Sequence, residues 1–116
     1  KNDEVYLVAP LGGVLYVLDA ATMAVKNWYH LEMGIRDIQF DPRERLFYIT
    51  AYRSGDLIVF DADQKRIVKR IFIGRRARDL MLDPQTGVLL IASEVGFLEV
   101  PLRRRRGDAV QSPISY

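Results

Sequence analysis

The stretch Gly55–Ile71, GDLIVFDADQKRIVKRI, puts four apolar residues in a row (Leu57 to Phe60). A polar gap around Asp61 and Asp63 follows, and then a second apolar run interrupted by Arg66, Lys69 and Arg70. A strand with one wet face alternates apolar and polar residues. LIVF does not alternate, and neither does LFYIT at 46–50, so both read as strands covered on both faces. The second run has the mixed, charged pattern of an outer sheet edge guarded against further pairing. Nearly the same phrase, GVLYVLDAATMAVKNWY, begins at Gly13, 42 residues earlier.

The echo extends along the chain. Shifted by 42, Gly13 to Asp19 falls on Gly55 to Asp61, Arg36 to Pro42 on Arg78 to Pro84, Tyr48 to Ala51 on Leu90 to Ser93, and Tyr6 to Ala9 on Tyr48 to Ala51. Gly55 to Val59 also matches Gly96 to Val100 at an offset of 41. In the complete middle unit the apolar runs are 36–40, 46–51, 57–61 and 67–73, all strand-sized and rich in Val, Ile, Leu, Phe and Tyr. DPRER, SGD and DADQK separate them, and DPQTG recurs in the next unit. Such short turn-forming gaps imply antiparallel hairpins. Four-stranded sheets covered on both faces stack naturally around an axis, each between two neighbours.

The expected fold is therefore all-β: antiparallel four-stranded blades of a β-propeller, about two and a half to three of them. A partial blade spans 5–31, a full blade 35–74 and a partial blade 77–100, together residues 1–102. Residues 103–116 form a basic tail or a last outer strand. Leu57, Val59, Ile38, Phe40, Leu80, Leu82, Ile49 and Ile91 are the expected buried inner-strand positions. Tyr6, Val8, Val14, Tyr16 and Leu18 at one end, and Leu89, Ile91, Phe97 and Leu98 at the other, are expected to show open apolar blade faces that pack on other polypeptide.

The phrase G-x-L-x-V-x-D followed by D-P-x-x-x-L-x-Y-I-T resembles the YVTN-type β-propeller repeat, related to the NHL and WD-repeat propellers, over residues 5 to about 100. The resemblance implies the propeller fold and an extracytoplasmic location, and its relatives include both binding modules and enzymes. Arg36 and Arg78 stand where that repeat commonly has proline or a small residue. Arg45 stands where Gly87 and the repeat pattern favour glycine.

The 116 residues suit one modest domain, with 49% hydrophobic and 28% charged residues. The absence of cysteine excludes disulfides, thiolate metal sites and cysteine nucleophiles. No apolar run approaches a membrane span. The net charge of +2 becomes −2 without Arg103 to Arg106, so the body is not a basic nucleic-acid binder by composition. A lone histidine, His30, cannot build a histidine metal cluster. No nucleophile elbow, Walker loop or GxGxxG occurs. Asp41 and Asp83 precede prolines and read as turn formers.

These features point to a non-catalytic module without a cofactor, partnered by protein in a homo-oligomer or with another subunit that completes the propeller. The alternative is the propeller portion of a redox or hydrolytic enzyme whose cofactor or catalytic groups lie outside this chain. The candidate site is one rim, where loops enter the first strand and join the second to the third. It carries Arg36, Tyr52, Arg53, Arg75, Arg76 and Arg78, with Gly34 and Glu94 nearby. Arginine forks suit carboxylate or phosphate. The repeated Arg36–Asp37 and Arg78–Asp79 pairs are expected as structural ion pairs between blades.

Overall fold

The computed structural model describes residues 3–74, 76–94 and 96–102. It is built from ten strands: β1 (Glu4–Ala9), β2 (Val14–Asp19), β3 (Val25–His30), β4 (Ile35–Asp41), β5 (Leu46–Ala51), β6 (Asp56–Asp61), β7 (Arg66–Phe72), β8 (Ala77–Asp83), β9 (Val88–Ser93) and β10 (Gly96–Pro101). All pairings are antiparallel and join sequence neighbours. They make three sheets, β1-β2-β3, β4-β5-β6-β7 and β8-β9-β10. Residues 103–116, expected as a basic tail or a last outer strand and including Arg103 to Arg106, and the rim residue Arg75 lie outside the described residues.

Two cores hold the sheets together, one on each face of the middle sheet. Toward the first sheet, Phe47, Ile49, Ala51, Ile58 and Phe60 pack with Leu15, Tyr6 and Val8. Toward the third, Tyr48, Leu57 and Val59 pack with Leu80, Leu89, Ile91 and Val100. Alternate side chains of LIVF thus serve opposite cores, which is why the run has no polar position. The outer strands β3 and β7 are mostly exposed, as their mixed sequences require.

The expected burial holds for Leu57, Val59, Ile49, Leu80 and Ile91. Ile38 and Leu82 are only half-buried and Phe40 is exposed. Phe40 lies on the innermost strand beside a turn, and its ring touches Phe47 on one side and the Arg45 guanidinium on the other. The end faces follow expectation only in part: Val14, Tyr16 and Leu18 share the outer face with Leu7, and Phe97 is exposed, as expected. Tyr6, Val8, Leu89, Ile91 and Leu98 all point into the two cores. Strand parity leaves Leu7 exposed at one end and Met81 and Phe97 at the other.

The turns follow their aspartates. Asp41 Oδ1 accepts the Arg43 N–H at 3.0 Å and Asp83 Oδ1 the Gln85 N–H at 3.0 Å. In each turn the fourth residue after Asp donates back to it, Arg45 to Asp41 and Gly87 to Asp83. Both take a positive φ, 57° for Arg45 and 74° for Gly87, so Arg45 occupies a conformation suited to glycine. Its side chain is used there, pairing with Asp63 at 2.9 Å.

A polar clamp locks the first sheet to the second. Lys26 Nζ and Lys65 Nζ lie 2.8 and 3.1 Å from the two Glu4 oxygens, and Lys65 also donates to the Tyr6 hydroxyl. Lys26, and then Lys65 and Tyr6 against partial burial, hold the Glu4 carboxyl down to about 2. A carboxylate with a depressed folded pKa contributes stability above its unfolded pKa and loses it as pH falls toward the folded one. The chain should therefore lose about 1–2 kcal/mol between pH 5 and pH 2 from this group, after allowance for the solvent exposure of Lys26. Denaturant titrations across that range should show the loss, and Glu4→Gln should remove it. An equal acid loss in Glu4→Gln would assign it to other carboxylates.

Candidate functional site: the arginine rim

The rim is assembled by a ladder of backbone hydrogen bonds from blade to blade. The Gly34 N–H donates to Pro10 O at 3.0 Å, Tyr52 N–H to Gly34 O at 2.9 Å, and Arg76 N–H to Tyr52 O at 3.2 Å. Pro10, Tyr52 and Glu94 are equivalent under the 42-residue shift, as are Gly34 and Arg76, so the first and last bonds are one contact repeated. Gly34 has φ 92° and Arg76 φ 68°. A side chain on Gly34 would meet Arg53, its Cβ 2.9 Å from Arg53 Cγ. Arg76 thus keeps a left-handed backbone that its counterpart fills with glycine.

The Arg-Asp dipeptides sit on β-bulges. The register of β4 on β5 shifts between Ile35 and Ile38, and that of β8 on β9 between Ala77 and Asp79. A bulge puts two residues opposite one and re-aims their side chains. In β4 the bulge leaves Arg36 exposed and Asp37 half-buried. Asp37 does not pair with any of the described arginines. Its Oδ1 accepts the Ile38 N–H at 2.9 Å, and its Oδ2 accepts the Leu80 N–H of the next sheet at 2.8 Å. Thr50, fully buried opposite the bulge, accepts the Asp37 N–H at 3.1 Å. Arg78 likewise does not pair with Asp79 but reaches Glu94 Oε2 at 3.5 Å. The expected Arg–Asp ion pairs are thus replaced by a backbone-directed carboxylate and an arginine turned to the rim. A carboxylate accepting N–H groups between blades fixes stacking more tightly than an exposed ion pair.

Tyr52 is the centre of the cluster. Its ring lies under the Arg36 guanidinium, 5.1 Å from the centroid, and its hydroxyl donates to Glu94 Oε2 at 2.9 Å. Arg76 Nη1 donates to Glu94 Oε1 at 3.0 Å. Tyr52 and then Arg76, acting against partial desolvation, hold the Glu94 carboxyl below its usual range. Arg36 on Tyr52 and Arg78 on Glu94 are the same contact in successive blades, each bulge arginine reaching the residue just after the second strand. Arg53 stands apart, donating to Met33 Sδ at 3.5 Å. The structure thus gathers Arg36, Tyr52, Arg76 and Arg78 with Glu94, and leaves Arg53 flanking them.

Sequence reasoning placed Glu94 only near this rim and missed it as the partner of both arginines. It also missed the Glu4 clamp, whose members are 22 and 61 residues apart with no local signal. Trp28 and His30 are exposed on β3, while Tyr29 turns inward against Phe60 with ring centroids 5.2 Å apart. Among the described residues no group of three or more His, Cys, Asp or Glu is arranged to hold a metal ion. None of the described elements is a helix long and apolar enough to cross a membrane.

No family model matches the sequence, and no curated protein matches it. Its fold is shared with solved β-propeller proteins. The dihydro-heme d1 dehydrogenase NirN, solved in complex with DHE, is 16% identical over 88% of this chain and 22% of its own, with a TM-score of 0.71. The hydrazine synthase of Kuenenia stuttgartiensis is 18% identical over 78% of this chain and 26% of its own, with a TM-score of 0.72. A chain of the mitotic checkpoint complex is 12% identical over 78% of this chain and 28% of its own, with a TM-score of 0.66. The chain spans about a quarter of the length of each. The three sheets are blades of a β-propeller, about three in number.

Proposed function

We propose that the chain is a non-catalytic portion of a YVTN-type β-propeller, serving as a binding module in a protein assembly. Its arginine rim receives an acidic protein surface or anionic ligand. The observation that carries this reading is Arg76. It holds φ 68° where the preceding repeat has Gly34, and an L-residue in that region costs about 1 kcal/mol relative to glycine. Stability alone favours glycine there, so the retained arginine supports a use for its side chain. The neighbouring Arg36 and Arg78 add charge of the same sign on the same rim. The exposed Met81 and Phe97 on the outer face of the last sheet support a further polypeptide surface packed against it.

The test is Arg76→Gly. Its denaturation midpoint should equal or exceed that of the parent, because glycine relieves the backbone. Its affinity for an acidic peptide should fall several-fold, and the parent's own affinity should weaken as salt rises. Unchanged binding in Arg76→Gly would remove the rim from the reading.

The likeness to a dehydrogenase favours a second reading, in which the chain is the propeller portion of an enzyme whose cofactor and catalytic groups are supplied by other polypeptide. A visible absorption band that co-purifies with the chain would favour it; a colourless assembly that binds acidic peptide would not.

A further inference from the structure

Three donors on the rim converge on one carboxylate of the chain itself. The Tyr52 hydroxyl and Arg78 Nη1 meet Glu94 Oε2 at 2.9 and 3.5 Å, and Arg76 Nη1 meets Oε1 at 3.0 Å. Both oxygens are engaged, and the donors come from two blades. Tyr52 belongs to the middle one, while Arg78 and Glu94 belong to the last. The group is exposed, so its bonds are exchangeable with solvent and solute. Two neighbouring cations are differently placed. Arg36 rests on the Tyr52 ring and Arg53 touches Met33, and among the described residues neither has a carboxylate partner. Glu94 itself replaces Tyr52 and Pro10 of the earlier repeats, so the repeat does not need a carboxylate at this position to fold.

We propose that Tyr52, Arg76 and Arg78 form a carboxylate-recognition site that Glu94 occupies as a built-in competitor, displaced when the side-chain carboxylate of an acidic peptide segment binds. The proposal rests on the rim reading above and adds both a ligand group and a restraint on it. Glu94 shows in place what the cradle accepts: a planar carboxylate with one oxygen on Arg76 and the other shared by Tyr52 and Arg78. An incoming acidic segment repeats those bonds and adds contacts to Arg36 and Arg53, which Glu94 does not reach. An internal group that occupies a site lowers apparent affinity by the fraction of molecules in which the site is open. Removing it restores the intrinsic value.

The experiment is fluorescence anisotropy of a labelled hexaglutamate peptide with the full chain at fixed low salt. Glu94→Gln and Glu94→Ser should each bind about fivefold tighter or more than the parent. Glu44→Gln removes an equal charge from an exposed turn residue away from the cradle and should change affinity less than about twofold. Adding Arg76→Gly to Glu94→Gln should abolish the gain. A gain of equal size in Glu44→Gln would overturn the proposal as generic electrostatics. Peptide binding in the parent, with no gain in either Glu94 variant, would overturn the competitor role and leave the rim reading standing. No binding in any form would overturn both.

Discussion

Replacing Phe60 by alanine should cost the chain about 3–5 kcal/mol, read as a lowered denaturant midpoint at unchanged slope. Phe60 is 1% exposed, and it fills the first core between Leu15, Phe47 and the Tyr29 ring. The middle sheet carries a core on each face, so a hole there loosens its contact with the first sheet directly. A loss of that size approaches the whole stability of a small domain, about 5–15 kcal/mol. The control is Phe97→Ala on the outer face of the last sheet. Phe97 is 77% exposed, and its removal should stay within about 0.5 kcal/mol. Similar losses from the two substitutions would mean that the outer face is covered in solution.

The contrast between those phenylalanines marks how far the fold was legible. The blades and their order followed from repeated apolar runs and Asp-Pro turns, because both are local signals. Which face each side chain takes did not follow in the last blade. Matching Gly55 to Gly96 aligned Phe97 with Asp56. In the structure Ala92 pairs with Phe97 as Thr50 pairs with Leu57, so Phe97 takes the place of the buried Leu57. The β9–β10 loop is shorter than the β5–β6 loop: Gly96 is already in the strand, whereas Gly55 still belongs to the loop. A one-residue slip in a strand exchanges its faces. The rim was legible as a cluster of arginines because the loops recur. Its partners were not, since Glu94 lies 42 residues from Tyr52 and no local pattern joins them. The bulges that separate each Arg from its Asp left no trace either, as a bulge inserts a residue without changing its type.

Asp37→Ala should destabilise the isolated chain by about 2–3 kcal/mol, while Asp79→Ala should leave it within about 0.5 kcal/mol. Asp37 gives one oxygen to the Ile38 N–H and the other to the Leu80 N–H across the blade boundary. Alanine strands both donors in a half-buried place, and an unsatisfied buried donor costs more than the bond was worth when made. Asp37→Asn keeps a carbonyl acceptor for one of them and should lose less. Asp79 holds the same bulge position one repeat later, and it is exposed, its carboxylate making no hydrogen bond among the described residues. If the last sheet is faced by another blade in the native assembly, Asp79 is the acceptor for an inner-strand N–H of that blade, as Asp37 is for Leu80. Asp79→Ala should then weaken the assembly without weakening the chain. Chemical denaturation reads the chain and sedimentation velocity reads the assembly, so the two effects separate. Equal losses of chain stability at both positions would assign the carboxylates to their own strands, because the Ile38-type bond is the only one that both could make within a single chain.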